Sequence, residues 1–292
     1  MLIVIADNLV EEAVEELRKT GEVAYKPGNL EEAVKEADVL VVRSATKVTK
    51  ELIAEAGKLR VVARAGIGLD NIDQEACKEK GIKVVNTPGA STNAVAEFVL
   101  GLMIASLRNV QKAHHQMKGG LWDKKNLMGR EIEGKTLGII GYGRIGSLLA
   151  KKASALGMKI IAHDPHPRED GIAVFASDID ELFSQADIIS IHTPLVEATK
   201  NLINKENISK MKDSVCIINT ARGPVVDEDA LYDACKSGKV GSAALDVYCE
   251  EPYKGKLLEL NNVYFTPHLG GSTKEAQIKI GKEIARIIKE EL

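Results

Sequence analysis

The chain has 292 residues, of which 45% are hydrophobic, so it is long enough to bury a sizeable core. At roughly 150 residues per domain, this length predicts about two domains. The 39 basic and 42 acidic side chains give a net charge of -3, which excludes the strong basic field that binds nucleic acid or an anionic membrane.

Short apolar runs rich in β-branched residues alternate with segments of helical periodicity along the whole chain. The runs that predict strands are residues 2–6, 39–42, 60–63, 82–85, 136–140, 159–162, 188–191, 215–218, 242–245 and 263–265. Many of them lack an alternation of apolar and polar residues, which is typical of strands covered by helices on both faces. The pattern predicts an α/β fold built from doubly wound parallel sheets.

A weak internal repeat divides these elements into two sets. Residues 37–44 (ADVLVVRS) align with 186–193 (ADIISIHT), and 49–53 (TKELI) align with 199–203 (TKNLI). The offsets are 149 (186 − 37) and 150 (199 − 49). The repeat indicates two related α/β units, and the alternative is chance similarity between two generic strand and helix segments.

A segment of helical periodicity, residues 93–117, separates the two sets. Its apolar residues recur at helical spacing and predict one long helix: Val95, Val99, Leu102, Met103, Leu107 and Val110. The apolar face is either ordinary core or a subunit interface. The length of the helix favours an interface, so we expect a homodimer formed through this helix and the second unit.

A glycine-rich turn follows the first strand of the second unit. Residues 136–140 run into 141–146 (GYGRIG) and then into a helical segment. In this setting Gly141 permits a tight turn, Gly143 lets a pyrophosphate approach the backbone, and Gly146 lets helix and strand pack closely. The motif predicts a Rossmann-like dinucleotide-binding unit.

An acidic residue ends the next predicted strand. Asp164 lies 18 residues beyond Gly146 (164 − 146), where a carboxylate accepts hydrogen bonds from the adenosine ribose. Such a carboxylate repels a 2′-phosphate, which favours NAD over NADP. Pro165 follows where a phosphate-binding arginine would stand, although Arg168 is close enough to keep NADP as an alternative. A glycine turn beside an unrelated surface carboxylate is the other alternative.

Polar residues also follow the later strands of this unit, at positions that meet at one edge of a parallel sheet. They are His192-Thr193-Pro194, residues 219–223 (NTARG), Asp246 with Glu250-Glu251-Pro252, and residues 266–271 (TPHLGG). Oxidation of an alcohol beside a carboxylate needs a cation, a base and a partner that orients the base. Arg222, His268 and Glu251 meet these needs in that order.

Other interpretations of these side chains remain open from the residues alone. Arg222 would also serve as a structural ion-pair partner, Glu251 is one of several carboxylates, and His192 is a second candidate base. The pairs His114-His115 and His163/His166 lack a third or fourth ligand at suitable spacing, so we expect no metal site.

Cysteine spacing and apolar runs bear on the cellular location. The four cysteines have no metal-ligand spacing, which predicts reduced thiols in the cytoplasm. The opening residues 1–7 are too short for a signal-peptide core. The most apolar stretch, 94–107, falls short of the roughly 18 residues that span a membrane, so we expect neither a membrane nor a nucleic-acid partner.

Taken together, the motifs resemble those of the D-isomer-specific 2-hydroxyacid dehydrogenases over essentially the whole chain. The segments that carry the resemblance are 42–49 (VRSATKVT), 64–71 (RAGIGLDN), 86–88 (NTP), 141–146 (GYGRIG), 192–195 (HTPL), 219–223 (NTARG), 244–247 (ALDV), 250–252 (EEP) and 267–270 (PHLG). The resemblance implies that Arg222 binds and polarises the substrate, that His268 is the acid/base, and that Glu251 rather than Glu250 is its partner.

The resemblance also implies the cofactor contacts and the domain organisation. NAD contacts are expected from the loop glycines and from Arg144, Ile145, Asp164, Thr193, Thr220, Ala221, Asp246 and Gly270. The family topology implies a discontinuous substrate-binding domain, 1–93 with 273–292, and an NAD-binding domain, 94–272. The active site is then expected in a cleft between these domains.

Segment 42–49 is most like the family members that oxidise D-3-phosphoglycerate to 3-phosphohydroxypyruvate with NAD, the entry to serine synthesis. Pro224 also occurs in other members, so a glyoxylate or hydroxypyruvate reductase is the alternative enzyme. An NAD(H)-sensing, corepressor-like binding protein is the alternative of another class. The chain ends at Leu292 without the serine-sensing domain of longer members, so serine feedback is not expected.

Two groups of residues after strands of the first unit are the expected substrate-binding residues. They are Arg43-Ser44 and Arg64-Ala65-Gly66. Arg222 and the backbone N–H groups near Gly66 would already hold a carboxylate, so further guanidinium groups imply a second anion, such as a phosphate. The alternative for Arg43 is an ion pair with a carboxylate such as Asp38.

Overall fold

The computed structural model describes all 292 residues. The strands, in chain order, are β1 (Leu2–Ile5), β2 (Glu22–Tyr25), β3 (Val39–Val42), β4 (Val61–Arg64), β5 (Lys83–Asn86), β6 (Thr136–Ile140), β7 (Lys159–His163), β8 (Val174–Phe175), β9 (Ile188–Ile191), β10 (Val215–Asn219), β11 (Val240–Leu245) and β12 (Val263–Phe265). The helices are α1 (Glu11–Arg18), α2 (Leu30–Glu36), α3 (Lys50–Glu55), α4 (Gln74–Glu79), α5 (Thr92–Leu107), α6 (Val110–Lys118), α7 (Arg144–Ala155), α8 (Ile179–Gln185), α9 (Lys205–Lys210), α10 (Glu228–Ser237) and α11 (Lys274–Glu291).

These elements form two compact units. Unit 1 comprises Met1–Ala94 and Gly271–Leu292, and unit 2 comprises Val95–Gly270. Unit 1 has a five-stranded parallel sheet in the order β2-β1-β3-β4-β5, and unit 2 has a seven-stranded parallel sheet in the order β12-β11-β10-β9-β6-β7-β8. The predicted α/β class with two doubly wound parallel sheets is confirmed.

Helices cover both faces of each sheet, as the continuous apolar runs predict. In β1, Ile3 and Ile5 pack into one apolar layer and Val4 packs into the layer on the other face. In β10, Ile217 and Ile218 divide between two layers in the same way. At about 25 cal/mol per Å² of buried apolar surface, these four layers supply most of the stabilisation of the two units.

The prediction of one long helix over residues 93–117 is wrong. The chain forms α5 and α6 with a 63° bend between them. The cause is Asn109, which adopts a left-handed conformation (φ 53°) and donates from its side-chain amide to Met128 O at 3.3 Å. Asparagine tolerates this conformation better than most residues, and it interrupts the helical hydrogen bonds.

The internal repeat is in register at the strands but not at the helices that follow. Thr49 and Asn204 both cap a helix, with their side chains accepting hydrogen bonds from Leu52 N and Asn207 N. These caps are 155 residues apart (204 − 49), against the 150 of the aligned sequences. Residues 199–203 therefore precede α9 instead of forming the counterpart of α3: Thr199 ends a 3-10 helix, and Ile203 forms a β-bridge with Val226.

No single helix is long and apolar enough to cross a membrane, and only the bent pair α5 and α6 passes on length and composition. Val99, Leu102 and Met103 of α5 pack in the core of unit 2.

Candidate active site

The glycine loop of unit 2 has the geometry that its three glycines predict. Gly141 has φ 92° and a Cβ there would lie 2.7 Å from His192 O. A Cβ on Gly146 would lie 2.2 Å from Gly141 O, so only glycine lets α7 pack this closely on β6. Gly143 faces open space, and Arg144 and Ile145 form the first turn of α7 immediately after it.

The Asp164 carboxylate lies at the end of β7, beside this loop. Its Oδ2 accepts from Tyr142 N at 2.6 Å and its Oδ1 accepts from His166 N at 2.8 Å. Each carboxylate oxygen has two lone pairs, so both keep capacity for the hydroxyls of a ribose.

Two buried hydroxyl groups without hydrogen-bond partners lie at the same edge of the sheet. Thr193 follows β9 and Thr220 follows β10, and the Oγ1 atom of each is buried without a hydrogen-bond partner. Buried polar groups without partners are rare and call for a ligand or a water. With the open face at Gly143 and the N-terminus of α7, these hydroxyls fit a bound dinucleotide.

Asp246 is 1% exposed and is bonded mainly to the segment that carries His268. Its Oδ1 accepts from Thr266 Oγ1 at 2.6 Å and Leu269 N at 2.7 Å, and its Oδ2 accepts from Gly270 N at 2.8 Å. His268 adopts a left-handed conformation (φ 57°), which costs free energy for a non-glycine residue. The hydrogen bonds to Asp246 hold the residues on either side of it.

The loop that carries Arg222 is shaped by buried Asn219. Its Nδ2 donates to Arg222 O at 2.8 Å and its Oδ1 accepts from Ala221 N at 3.0 Å. The Arg222 side chain donates from Nη1 to Ala221 O at 2.6 Å. A Cβ on Gly223 would lie 1.9 Å from the carbonyl carbon of Tyr248, so this glycine lets the loop pack directly against the segment leading to Glu251.

Glu251 and His268 form a hydrogen-bonded pair. His268 Nδ1 lies 3.0 Å from Glu251 Oε2, and the side chains are 40% and 39% exposed. Oε1 of Glu251 accepts from Tyr248 N at 3.3 Å, which orients the carboxylate. With Nδ1 engaged, Nε2 is the ring nitrogen left to exchange a proton with a ligand.

His192, the other candidate base, has a different environment. Its Nε2 lies 2.8 Å from Oγ of Ser190, a residue with 0% exposure. Desolvation lowers the pKa of His192 to about 4. A ring with so low a pKa is a weak base near pH 7, and its Nε2 is already bonded to Ser190, which favours His268 as the base.

In unit 1, two side chains, Asp7 and Asn71, hold the segment that begins at Arg43 by hydrogen bonds. Asp7, which follows β1, accepts from the backbone N–H groups of Arg43 and Thr46 and from Thr46 Oγ1 at 2.7 Å. Asn71 donates from Nδ2 to Arg43 O at 2.7 Å and Thr46 O at 2.6 Å. Ser44, between these anchors, is exposed.

The Arg43 guanidinium donates from Nη1 to Asn8 O at 3.1 Å and lines a cavity of about 510 Å³. The cavity is lined by Val10, Glu11, Glu12, Arg43, Ser272, Thr273, Lys274 and Gln277. Burial lowers the pKa of Arg43, with Asp7 acting in the opposite direction. Asp38, the partner considered from sequence, instead accepts from Leu2 N at 2.7 Å.

Two backbone N–H groups near the expected substrate position already have partners within unit 1. Those of Ala65 and Gly66 donate to Val42 O at 2.7 Å and Arg64 O at 2.8 Å. Gly66 instead makes room for Arg64, whose Nη1 would lie 1.5 Å from a Cβ at this position.

The sequence analysis did not assign supporting roles to several residues. Asp7, Asn71, Asn219 and Ser190 each bond to a segment that carries a candidate residue. A polar residue directly after a predicted strand was the available signal for Asp7 and Asn219, while Ser190 lies within a strand, where the sequence alone shows no role. No group of three or more His, Cys, Asp or Glu side chains is arranged to hold a metal ion.

Comparison with known proteins agrees with this architecture. Residues 100–270 match the family described as D-isomer specific 2-hydroxyacid dehydrogenase, NAD binding domain. The chain belongs to the D-isomer specific 2-hydroxyacid dehydrogenases. It is an NAD-dependent oxidoreductase, which sets aside the alternative of a binding protein without turnover.

Three relatives show how far the similarity extends. The hydroxypyruvate reductase of Thermotoga maritima is 54% identical over 283 residues, which cover 95% of this chain and 92% of that protein. The D-3-phosphoglycerate dehydrogenase of Methanocaldococcus jannaschii is 50% identical over 299 residues, covering 99% of this chain but only 57% of that protein. The crystal structure of D-lactate dehydrogenase from Aquifex aeolicus, complexed with NAD and lactic acid, matches with a TM-score of 0.87 and 32% identity over 99% of this chain and 94% of that chain.

Proposed function

We propose that the protein oxidises D-3-phosphoglycerate to 3-phosphohydroxypyruvate with NAD, the first step of serine biosynthesis. The class of reaction follows from the family, and the phosphorylated substrate is the proposed part. The observation that carries it is Arg43, whose guanidinium is held beside an open cavity with a main-chain carbonyl as its acceptor. An arginine in this setting is suited to a phosphate.

Three side chains of unit 2 have distinct roles in this proposal. Arg222 binds the substrate carboxylate, because a guanidinium matches a carboxylate with two parallel hydrogen bonds. His268 accepts the proton of the 2-hydroxyl group at Nε2 as the carbonyl forms. Glu251, bonded at Nδ1, keeps the ring oriented and stabilises the imidazolium that results.

The remaining residues of the site prepare it for the cofactor. Bound NAD supplies the hydride acceptor. The glycine loop and the first turn of α7 are proposed to bind its pyrophosphate, and Asp164 is proposed to accept from the adenosine ribose. Thr193, Thr220, Ala221, Asp246 and Gly270 are proposed to complete the cofactor contacts along the sheet edge.

The phosphate assignment is tested by Arg43→Ala. We expect the variant to raise KM for 3-phosphohydroxypyruvate far more than for hydroxypyruvate, with a differential effect of about 2 kcal/mol. Arg60→Ala is the matched control, because Arg60 is exposed in the same unit but precedes β4 instead of following a strand. Equal losses on both substrates would contradict the phosphate role of Arg43.

The second candidate activity is reduction of hydroxypyruvate or glyoxylate on the same scaffold. It is favoured by the hydroxypyruvate reductase of T. maritima, which matches this chain over 92% of its own length. Steady-state assays with 3-phosphohydroxypyruvate, hydroxypyruvate and glyoxylate distinguish the two. A kcat/KM that is higher for the unphosphorylated acids would favour the reductase.

We further propose a homodimer. Six large apolar side chains between residues 104 and 128 are at least 41% exposed: Ile104, Val110, Met117, Leu121, Trp122 and Met128. A surface of this kind is typical of an interface. Light scattering after size exclusion tests the stoichiometry, and Trp122→Ser with Met128→Ser is expected to shift it toward the monomer.

The cytoplasm is the proposed location. In support, Cys77, Cys216, Cys235 and Cys249 are all free thiols, as expected in a reducing compartment. Fractionation of cells that express the tagged chain tests this proposal.

A further inference from the structure

Tyr142 stands between the first two glycines of the cofactor loop and is 1% exposed. Its ring packs edge-on against Phe175 of β8, with centroids 5.1 Å apart and an interplanar angle of 77°. Its hydroxyl donates to Asp170 Oδ2 at 2.8 Å. Burial, with Asp170 beside it, raises the pKa of Tyr142, so the phenol remains a donor at any physiological pH.

Asp170 belongs to the segment 164–173, which has no helix or strand and links β7 to β8. Its Oδ1 accepts from Ile172 N at 2.9 Å and Ala173 N at 3.4 Å. Desolvation opposes ionisation, but these hydrogen bonds and the one from Tyr142 lower the pKa of Asp170 below its ordinary value. The phenol therefore donates to a carboxylate, which strengthens the hydrogen bond.

Tyr142 binds this segment at both ends. Its backbone N–H donates to Asp164 at 2.6 Å and its hydroxyl donates to Asp170 at 2.8 Å. The residues between these two contacts, 165–169, are exposed, and Arg168 is among them. Without the phenol contact, residues 165–171 would be held only by the hydrogen bonds at Asp164 and by Ile172 and Ala173, which pack against the core of unit 2.

We propose that Tyr142 is a positioning residue for dinucleotide discrimination, which holds segment 164–170 against the glycine loop and thereby fixes the Asp164 carboxylate. A fixed carboxylate accepts from the ribose of NADH and repels the 2′-phosphate of NADPH. Without the phenol contact, Asp164 keeps only the hydrogen bonds from Tyr142 N and His166 N, so its carboxylate is held less firmly, and Arg168 is free to approach a 2′-phosphate, which weakens the discrimination. The inference rests on the cofactor part of the proposed function, the placement of Asp164 on the ribose, and is independent of the substrate.

The test is Tyr142→Phe, with binding of NADH and of NADPH measured by fluorescence titration without substrate. We expect NADH to bind roughly threefold to tenfold more weakly, with a smaller change for NADPH, since one hydrogen bond to a charged acceptor is lost. The ratio of the NADPH Kd to the NADH Kd therefore falls. Trypsin is expected to cleave after Arg168 faster in the variant.

Three variants complete the test. Phe175→Leu removes the ring contact but keeps the phenol, so it is expected to lower Tm and leave the Kd ratio unchanged. Asp170→Ala removes the acceptor at an exposed position, together with the bonds from Ile172 N and Ala173 N, and is expected to lower the ratio at least as far as Tyr142→Phe does. The double variant Tyr142→Phe with Asp170→Ala is expected to equal Asp170→Ala, because Asp170→Ala already removes the hydrogen bond that Tyr142→Phe removes.

The inference is overturned if the ratio of the NADPH Kd to the NADH Kd stays at the wild-type value in both Tyr142→Phe and Asp170→Ala. It is also overturned if Phe175→Leu changes this ratio as much as Tyr142→Phe does. Asp164→Ala separates this outcome from a failure of the ribose assignment. If that variant also keeps the wild-type ratio, the placement of Asp164 on the ribose is wrong. An enzyme that binds NADH but does not oxidise D-3-phosphoglycerate refutes the substrate and leaves the role of Tyr142 intact.

Discussion

His192 and His268 follow two strands of the same sheet, yet their burial and their hydrogen-bond partners differ. His192 follows β9 and its Nε2 lies 2.8 Å from Oγ of fully buried Ser190. His268 follows β12, is 40% exposed, and has the Glu251 carboxylate 3.0 Å from Nδ1. Position at the carboxyl edge of a parallel sheet therefore places a histidine near a ligand, while burial and the hydrogen-bond partner decide whether it can accept a proton.

The largest expected effect is that of His268→Ala. Loss of the general base should lower kcat by about 10²- to 10⁴-fold, while NADH binding stays close to that of the wild type. Initial rates and fluorescence titration of NADH measure the two quantities. His268→Asn is the second variant, because asparagine tolerates the left-handed backbone (φ 57°) and isolates the loss of the imidazole.

If His192→Gln lowers kcat by a comparable factor while His268→Ala keeps the wild-type kcat, the assignment of the two histidines is reversed.

Glu251→Gln tests the partner that distinguishes His268. The amide keeps the shape of the side chain but no longer stabilises an imidazolium, so kcat should fall by about tenfold to 100-fold, the range of a hydrogen bond to a charged group. Steady-state assays in both directions measure it. Glu250→Gln is the matched control next in sequence and is expected to retain activity. An unaffected Glu251→Gln would mean that the 3.0 Å contact does not contribute to turnover.

The lowered pKa of His192 should make the free energy of unfolding decrease at low pH. Desolvation lowers its pKa to about 4, whereas an unfolded chain has the ordinary value near 6.5. As the pH falls below 6.5, the unfolded state binds a proton before the folded state does. The free energy of unfolding therefore decreases by about 2 kcal/mol by pH 5. Urea unfolding at pH 7 and pH 5 measures this loss, which should be smaller in His192→Gln. A variant as acid-sensitive as the wild type would indicate a different titrating group.

The sequence predicted the central strands because buried parallel strands carry continuous apolar runs. It missed β2 and β8, two of the four edge strands, which keep exposed residues such as Tyr25 and Val174. An edge strand needs less apolar surface, so its signal can resemble that of a loop, whereas β5 and β12, at the opposite edges, keep the apolar runs that predicted them. The break at Asn109 was also missed, since the apolar spacing continues from α5 into α6 and only the bond to Met128 shows the turn.

The candidate site also combines residues that the sequence predicts with contacts that it does not predict. Arg222, Glu251 and His268 were accessible from sequence because they belong to short motifs with distinct chemistry. The contacts of Asp246 with the segment around His268 depend on two strands meeting at one edge, which spacing alone does not show. The contact between Tyr142 and Asp170 spans 28 residues and two elements, so it arises only in the folded chain.

The order of synthesis follows from the division of unit 1 between the two ends of the chain. Ile280, Ile284 and Ile288 of α11 are at most 2% exposed and pack in the same apolar layer as Ile3, Val14 and Leu17. A Cβ on Gly281 would lie 2.2 Å from Ala13 Cβ, so α11 and α1 are in close contact. The 255 residues between α1 and α11 (19–273), including all of unit 2, are translated before α11 appears. At roughly 5 to 20 residues per second, the apolar side of α1 remains uncovered on the ribosome for about 13 to 51 s, and during this interval a nascent chain is most exposed to aggregation and to chaperones.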